Sequence, residues 1–174
     1  MSTSDRRCLP FESLTSVSES HIPGEKTSGL AETPPCPGER VFVKAAGDGS
    51  KRLLIRASEA GCGLVIVLTG GDEPHIGAVA IAIPRPSLAD PTVTSSTTSV
   101  YAVVGHKDDE IAKPMAEKAA RELNRVVVAI AGVHVHGATS GIIAEITRTA
   151  SELLEDVVRA FGGGAAGAAT TPGG

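Results

Sequence analysis

The chain has 174 residues, with 16 Lys and Arg against 20 Asp and Glu, a formal charge of -4, and among aromatics 3 Phe, 1 Tyr and no Trp. That length suits one folded domain. Charges of both signs are spread along the sequence, leaving no basic footprint for nucleic acid, and no uninterrupted apolar run nears the roughly 20 residues that span a bilayer.

Residues 1–38 mix Ser, Thr, Glu, Pro and Gly with isolated apolar residues, and Pro34-Pro35-Cys36-Pro37-Gly38 disfavours helix and central strand alike. This segment is expected to be a disordered N-terminal arm. Its opening, Met1-Ser2-Thr3-Ser4-Asp5-Arg6-Arg7, lacks the apolar core of a secretory signal, and Cys8, Cys36 and Cys62 form no CxxC pair. Reduced thiols and a soluble, cytoplasmic protein are the expectation. Residues 162–174 hold only Gly, Ala, Thr and Pro, too little apolar surface to offset the entropy of ordering, so a disordered Gly/Ala-rich tail is expected. The folded domain is then residues 39–161.

Within it, residues 40–44 and 53–56 read as short strands joined across Gly47-Asp48-Gly49-Ser50, where glycine supplies the positive φ of a tight turn. Residues 64–68 are too apolar for an exposed strand, Cys62 just before them is expected to fill core space, and residues 78–83 read as a second central strand that stops at Pro84. The hydroxyl-rich run Ser95-Ser96-Thr97-Thr98-Ser99 leads into residues 100–104, a fifth strand that ends at Gly105-His106. The period then changes: Ile111, Met115, Ala119 and Leu123 recur every four residues, the mark of a one-sided helix. Asp108, Asp109 and Glu110 suit its positive end, and Pro114 places the regular start near Lys113. Residues 126–131 supply another buried strand, and Ile142, Ile143, Ile146, Leu153, Leu154, Val157, Val158 and Phe161 give a last helix its apolar stripe.

The chain therefore ends β-α-β-α. Such a crossover makes the strand ending at His106 parallel to the one ending near His134, adjacent or one strand apart. The earlier strands have no room for crossover helices, so the sheet is mixed and mostly antiparallel. The fold class is α+β, a single-domain two-layer α/β sandwich with both helices on one face. Val41/Val43, Val65/Val67 and Val79/Ile81/Ile83 make the opposite face apolar, and homo-oligomerisation is its expected cover.

Chemistry gathers around histidine. Gly132-Val133-His134-Val135-His136-Gly137 sets two imidazoles on one face of an extended strand end, with Val133 and Val135 as packing residues on the other and Thr139 or Ser140 placed to cap the next helix. Topology brings His106 of Gly105-His106-Lys107-Asp108-Asp109 near them, and antiparallel pairing brings His75 at the start of the fourth strand. His75, His106, His134 and His136 are thus candidate ligands for zinc or another divalent metal, although the HxH spacing is far less specific than HExxH and hydrogen-bonded structural histidines give the same pattern. Asp108 and Asp109 either orient imidazoles or serve the helix end. The Gly70-Gly71 backbone, Lys107 and Arg85 offer contacts to a phosphate or carboxylate, and Ser99 with its neighbours offers hydroxyls; a glycine hairpin, an exposed arginine and an edge strand explain the same residues. No GxGxxG or GxxxxGK[ST] motif is present.

Gly70-Gly71-Asp72-Glu73-Pro74-His75-Ile76-Gly77-Ala78-Val79, Pro84-Arg85-Pro86-Ser87-Leu88, Ser99-Val100, Gly105-His106-Lys107-Asp108-Asp109 and Gly132-Val133-His134-Val135 together resemble the LpdD-like proteins, over roughly residues 39–160. These are small proteins associated with prenylated-flavin-dependent decarboxylases. The resemblance implies a chaperone that binds or delivers prenylated flavin mononucleotide while a non-oxidative decarboxylase matures. Residues available to hold such cargo are Gly71, His75, Arg85, Ser99, His106, Lys107, His134 and His136, with the phosphate at N–H donors or Lys/Arg and the ring in an apolar slot. Two other readings compete: a metal-dependent enzyme in which the histidines activate water, and an accessory subunit of the decarboxylase that holds no cofactor.

Overall fold

The structure, a computed structural model, describes residues 40–162. The expected N-terminal arm at 1–38 and, beyond Gly162, the expected Gly/Ala-rich tail lie outside the described residues. Among the described residues six strands form one sheet in the order β1-β2-β3-β6-β4-β5. β1 (Val41–Ala46) and β2 (Leu53–Ala60) pair antiparallel across the glycine turn, where Gly47 takes a φ of 80°. β3 (Gly63–Gly71) folds back on β2, and β4 (Ala78–Pro86) pairs antiparallel with β5 (Thr94–Ala102). β6 (Val127–His134) inserts between the two groups, parallel to β3 and antiparallel to β4. β5 and β6 therefore run parallel with β4 between them, and the sheet is mixed but mostly antiparallel, as the connection lengths require.

Four local expectations give way to the tertiary setting. β4 continues through Pro84 to Pro86, because its pairing with β6 ends at Ala82 and the prolines sit where β4 has a partner on one side alone. The hydroxyl run is itself the body of β5, and the strand stops at Ala102. α1 (Asp109–Leu123) begins five residues ahead of Pro114; the missing N–H falls opposite the Glu110 carbonyl, and both residues are exposed, so water can serve that group. Cys62 is exposed in the β2–β3 turn, not in the core, since the strand it precedes starts only at Gly63.

α1 and α2 (Ser140–Gly162) cover one face of the sheet, α1 over β4, β5 and β6 and α2 over β1 and β2. Strand alternation puts Leu53, Ile55, Leu64, Ile66, Leu68 and Val127 into that interface, all essentially inaccessible. The part beneath α1 is nearly all methyl groups: Ala112, Ala116, Ala119 and Ala120 of the helix meet Ala78, Ala80, Ala82, Ala129 and Ala131 of β4 and β6. Small side chains on both sides let the helix backbone approach the sheet closely. Ile111 and Leu123, prominent in the four-residue spacing, pack at the flanks and are half-buried. The opposite face stays open, with Val41, Val43, Ile81, Ile83 and Tyr101 exposed. No helix among the described residues is long and apolar enough to cross a membrane.

An ionic clip closes one end of the sheet. The Arg40 backbone N–H and guanidinium donate to the buried Glu59 carboxylate at 3.2 and 2.8 Å, and Arg125 donates to it at 2.8 Å. Arg40 also lies over the Phe161 ring, 5.0 Å from its centroid, tying the clip to the end of α2. Hydrogen bonds from Arg40 and then Arg125 hold the Glu59 carboxyl well below its usual 4.5, at about 2, against the opposing effect of burial. A carboxyl depressed on folding stabilises fully above its unfolded value and loses that contribution as pH falls through the folded one. Glu59→Gln is expected to lower the thermal midpoint at pH 7 by several degrees, with the gap to the parent closing between pH 4.5 and about 2; circular dichroism melts across that range check it.

Candidate functional site

At the end of the sheet away from the clip, the last residues of β3, β5 and β6 meet the first residue of β4, as the pairs Gly71–His134, Ala78–Ala131 and Ala78–Ala102 record. The loop from β3 to β4 crosses over the end of β6. Asp72 donates its N–H to the His134 carbonyl at 2.6 Å, and Gly77 donates to the Ala131 carbonyl at 2.9 Å. The crossing demands glycine on both sides: a Cβ on Gly132 would strike the His75 carbonyl, and one on Gly71, at a φ of 82°, the His134 carbonyl.

Four of the five histidines come together here as a row. Ring centroids are 4.4 Å apart for His75 and His106, 6.4 Å for His75 and His134, and 4.9 Å for His134 and His136. Their ligand atoms nevertheless fall into two groups rather than one four-histidine set: His75 and His106 with Asp108, and His134 and His136 with Glu73. In the second group the His136 Nε2 to Glu73 Oε1 distance is 3.2 Å, both side chains are exposed, and Asp72 fixes the segment by accepting the His136 backbone N–H at 2.9 Å. In the first, His75 Nε2 lies 2.9 Å from His106 Nδ1 and 3.2 Å from Asp108 Oδ2.

Asp108 is the buried member. It starts α1 through its backbone carbonyl, which accepts from Ile111 and Ala112, but its carboxylate does not cap the helix. Oδ1 instead accepts the Val133 N–H of β6 at 2.9 Å. Of the two roles the three-acid run allowed, orienting imidazoles or serving the helix end, the side chain of Asp108 takes the first. Glu73 joins His136 through a turn that no periodicity marks, so no pattern along the chain pointed to it.

Next to this row lies a cavity of about 240 Å³ between the first turns of the two helices, lined by His106, Lys107, Asp108, Ile111, Val133, His134, Val135, Ile143, Ile146 and Thr147 among others. Thr139 Oγ1 accepts the Ile142 N–H at 3.4 Å at the head of α2, the capping role expected for Thr139 or Ser140. Ile143, read as part of the apolar stripe, is 52% exposed because it forms the cavity wall.

The remaining candidates are placed elsewhere. Arg85 bonds the Thr97 hydroxyl and the Pro86 carbonyl, both at 2.9 Å, seven residues along β4 from Ala78 and so roughly 23 Å from the imidazole edge at the rise of an extended strand. Ser99 is exposed opposite Ile81 on the open face of the sheet. Gly71 gives its N–H to the Arg52 carbonyl at 3.2 Å, which makes it a crossing point of the chain rather than a phosphate donor.

Residues 47–162 match the model of the prenylated flavin chaperone LpdD-like domain, a span that holds β2 to β6, both helices, the whole imidazole row and the cavity. The chain belongs to this family. Among solved structures, a chain from the crystal structure of a chaperone complex for yeast 20S proteasome assembly is similar at 13% identity, with a TM-score of 0.47, covering 71% of this chain and 98% of that one. No curated protein matches.

Asp108 depends on a neighbour with no side chain: a Cβ on Gly77 would strike its carboxylate. Gly77→Ala is expected to cost about 1–3 kcal/mol of stability by overpacking, measured by urea denaturation.

Proposed function

We propose that this chain carries prenylated FMN in the cavity at its imidazole edge and passes it, without substrate chemistry of its own, to a prenylated-flavin-dependent decarboxylase. The observation that carries this reading is the make-up of the cavity inside the matched flavin-chaperone domain. One wall is apolar, from Ile111, Val133, Val135, Ile143 and Ile146, and the rim holds His106, Lys107 and His134. An isoalloxazine ring requires such a wall, and with no aromatic residue in the lining it packs on branched aliphatic groups and imidazoles. The phosphate belongs at the head of α2, whose first turn has no acidic residue, while α1 opens with Asp109 and Glu110.

Size supports carriage over permanent tenancy. At about 240 Å³ the cavity is smaller than the roughly 300–1,000 Å³ that encloses an entire drug-sized ligand, so part of the cofactor stays accessible to the enzyme that receives it. Incomplete burial also limits affinity, which favours release.

The open sheet face is the natural seat of a second copy. It joins Val41, Val43, Val65, Val67, Ile81, Ile83 and Ile130, with Arg56 and Arg85 as the charged residues of its strands. Six strands about 4.8 Å apart offer several hundred Å², the order of the ~800 Å² that each partner gives to a stable interface.

Two measurements test these statements. Anaerobic titration with reduced prenylated FMN is expected to show saturable binding, weakened at least tenfold by Ile143→Glu, which sets a charge into the apolar wall from an exposed helix position. Correctly folded protein that binds no flavin overturns the reading, and co-purification with a decarboxylase without cofactor transfer favours the accessory-subunit alternative. Light scattering is expected to show a dimer that Ile81→Asp converts to monomer; a monomeric parent chain removes the interface.

A further inference from the structure

We infer that His75 Nε2, His106 Nδ1 and Asp108 Oδ2 form a binding site for one divalent first-row transition ion, a two-histidine, one-carboxylate set separate from His134 and His136. The three atoms are separated by 2.9, 3.2 and 3.7 Å. The point equidistant from such a triangle lies about 1.9 Å from each corner, and an ion slightly out of that plane meets all three at the ~2.0–2.2 Å of zinc–nitrogen and zinc–oxygen bonds.

Hydrogen-bond logic points the same way. His75 Nδ1 lies 2.9 Å from the Glu73 carbonyl, which can only accept, so Nδ1 carries the ring proton and the neutral ring has a bare Nε2. That lone pair lies 3.2 Å from a carboxylate oxygen and 2.9 Å from His106 Nδ1, and an ion among the three atoms satisfies all of them at once, where the metal-free alternatives are a proton on Nε2 or an Nδ1–H of His106 donated to it. A ring anchored by its other N–H to a carbonyl is the usual support of a metal-bound histidine. Asp108 is prepared in the same manner: the Val133 N–H occupies Oδ1 and leaves Oδ2 for the ion. Its side chain is 6% exposed, so an unpaired charge there is costly and a bound cation offsets the cost.

Nitrogen and oxygen donors in this ratio suit zinc, iron(II), cobalt or nickel rather than magnesium or calcium. Three protein ligands leave positions open, and since His106 and Asp108 both line the cavity, an oxygen atom of the cavity's occupant is within the ion's surroundings. The ion site does not depend on that occupant being a flavin.

The test uses the full chain, stripped with chelator and titrated with Zn²⁺ against a chromophoric competitor, with bound metal counted by elemental analysis. One ion per chain is expected, at least 100-fold weaker in His75→Ala and in Asp108→Asn and retained in His136→Ala. His106→Ala, at the half-exposed rim, gives the same loss should Asp108→Asn fail to fold, and circular dichroism establishes folding for each variant. Absence of stoichiometric metal in the parent chain overturns the proposal and leaves a ring proton, on His75 Nε2 or His106 Nδ1, as the bridge. So does metal that survives His75→Ala and His106→Ala, or metal that is lost in His136→Ala.

Discussion

The buried Asp108 carboxylate is the constraint on which the functional end of the molecule rests. A charge taken out of water must be paired on every side, and here each oxygen has its own obligation: Oδ1 to the Val133 N–H of β6, Oδ2 to His75 from the loop before β4. The same residue begins α1. One side chain therefore locks a strand, a loop and a helix in fixed relation. The space for it exists because Gly77 has no Cβ and Gly132 lets the His75 loop cross close to the strand.

The height of α1 above the sheet follows from its alanine interface. Larger residues beneath the helix would lift its first turn and draw Asp108 away from Val133, so the methyl-lined contact of Ala112, Ala116 and Ala119 with Ala78, Ala80 and Ala129 is part of the site although none of these residues touches it. The two ends of the sheet then divide the work. At one, Arg40, Glu59 and Arg125 close the structure with ordinary ion pairing. At the other, imidazoles and a carboxylate face one another across 2.9–3.7 Å, so the contacts that lock strand, loop and helix also hold potential ligand atoms close together.

A carrier of a reactive cofactor has to hold its cargo firmly enough to protect it and loosely enough to give it up. The cavity between the helix starts has an apolar wall inside and imidazoles at the mouth, the features on which the proposed carriage rests. Membership of the flavin-chaperone family rests on residues 47–162, a span that includes the lining of this cavity.

Much of the fold was legible in the chain. Among the described residues, periodicity and turn residues marked the six strands and two helices, and short connections dictated a mixed, mostly antiparallel sheet. The histidines at 75, 106, 134 and 136 were identifiable as one edge because a β-α-β crossover and an antiparallel neighbour must bring those strand ends together. What tertiary structure alone decided was the partnership of the individual atoms. That His75 and His106 share Asp108 while His134 and His136 turn to Glu73, that Arg85 stays at the far end of β4, and that Gly71 gives its N–H to Arg52 all depend on loop crossings. Side-chain period fixes which face a residue occupies, but hydrogen bonds and ligand geometry are settled over a few ångströms, a distance that only the packed chain defines.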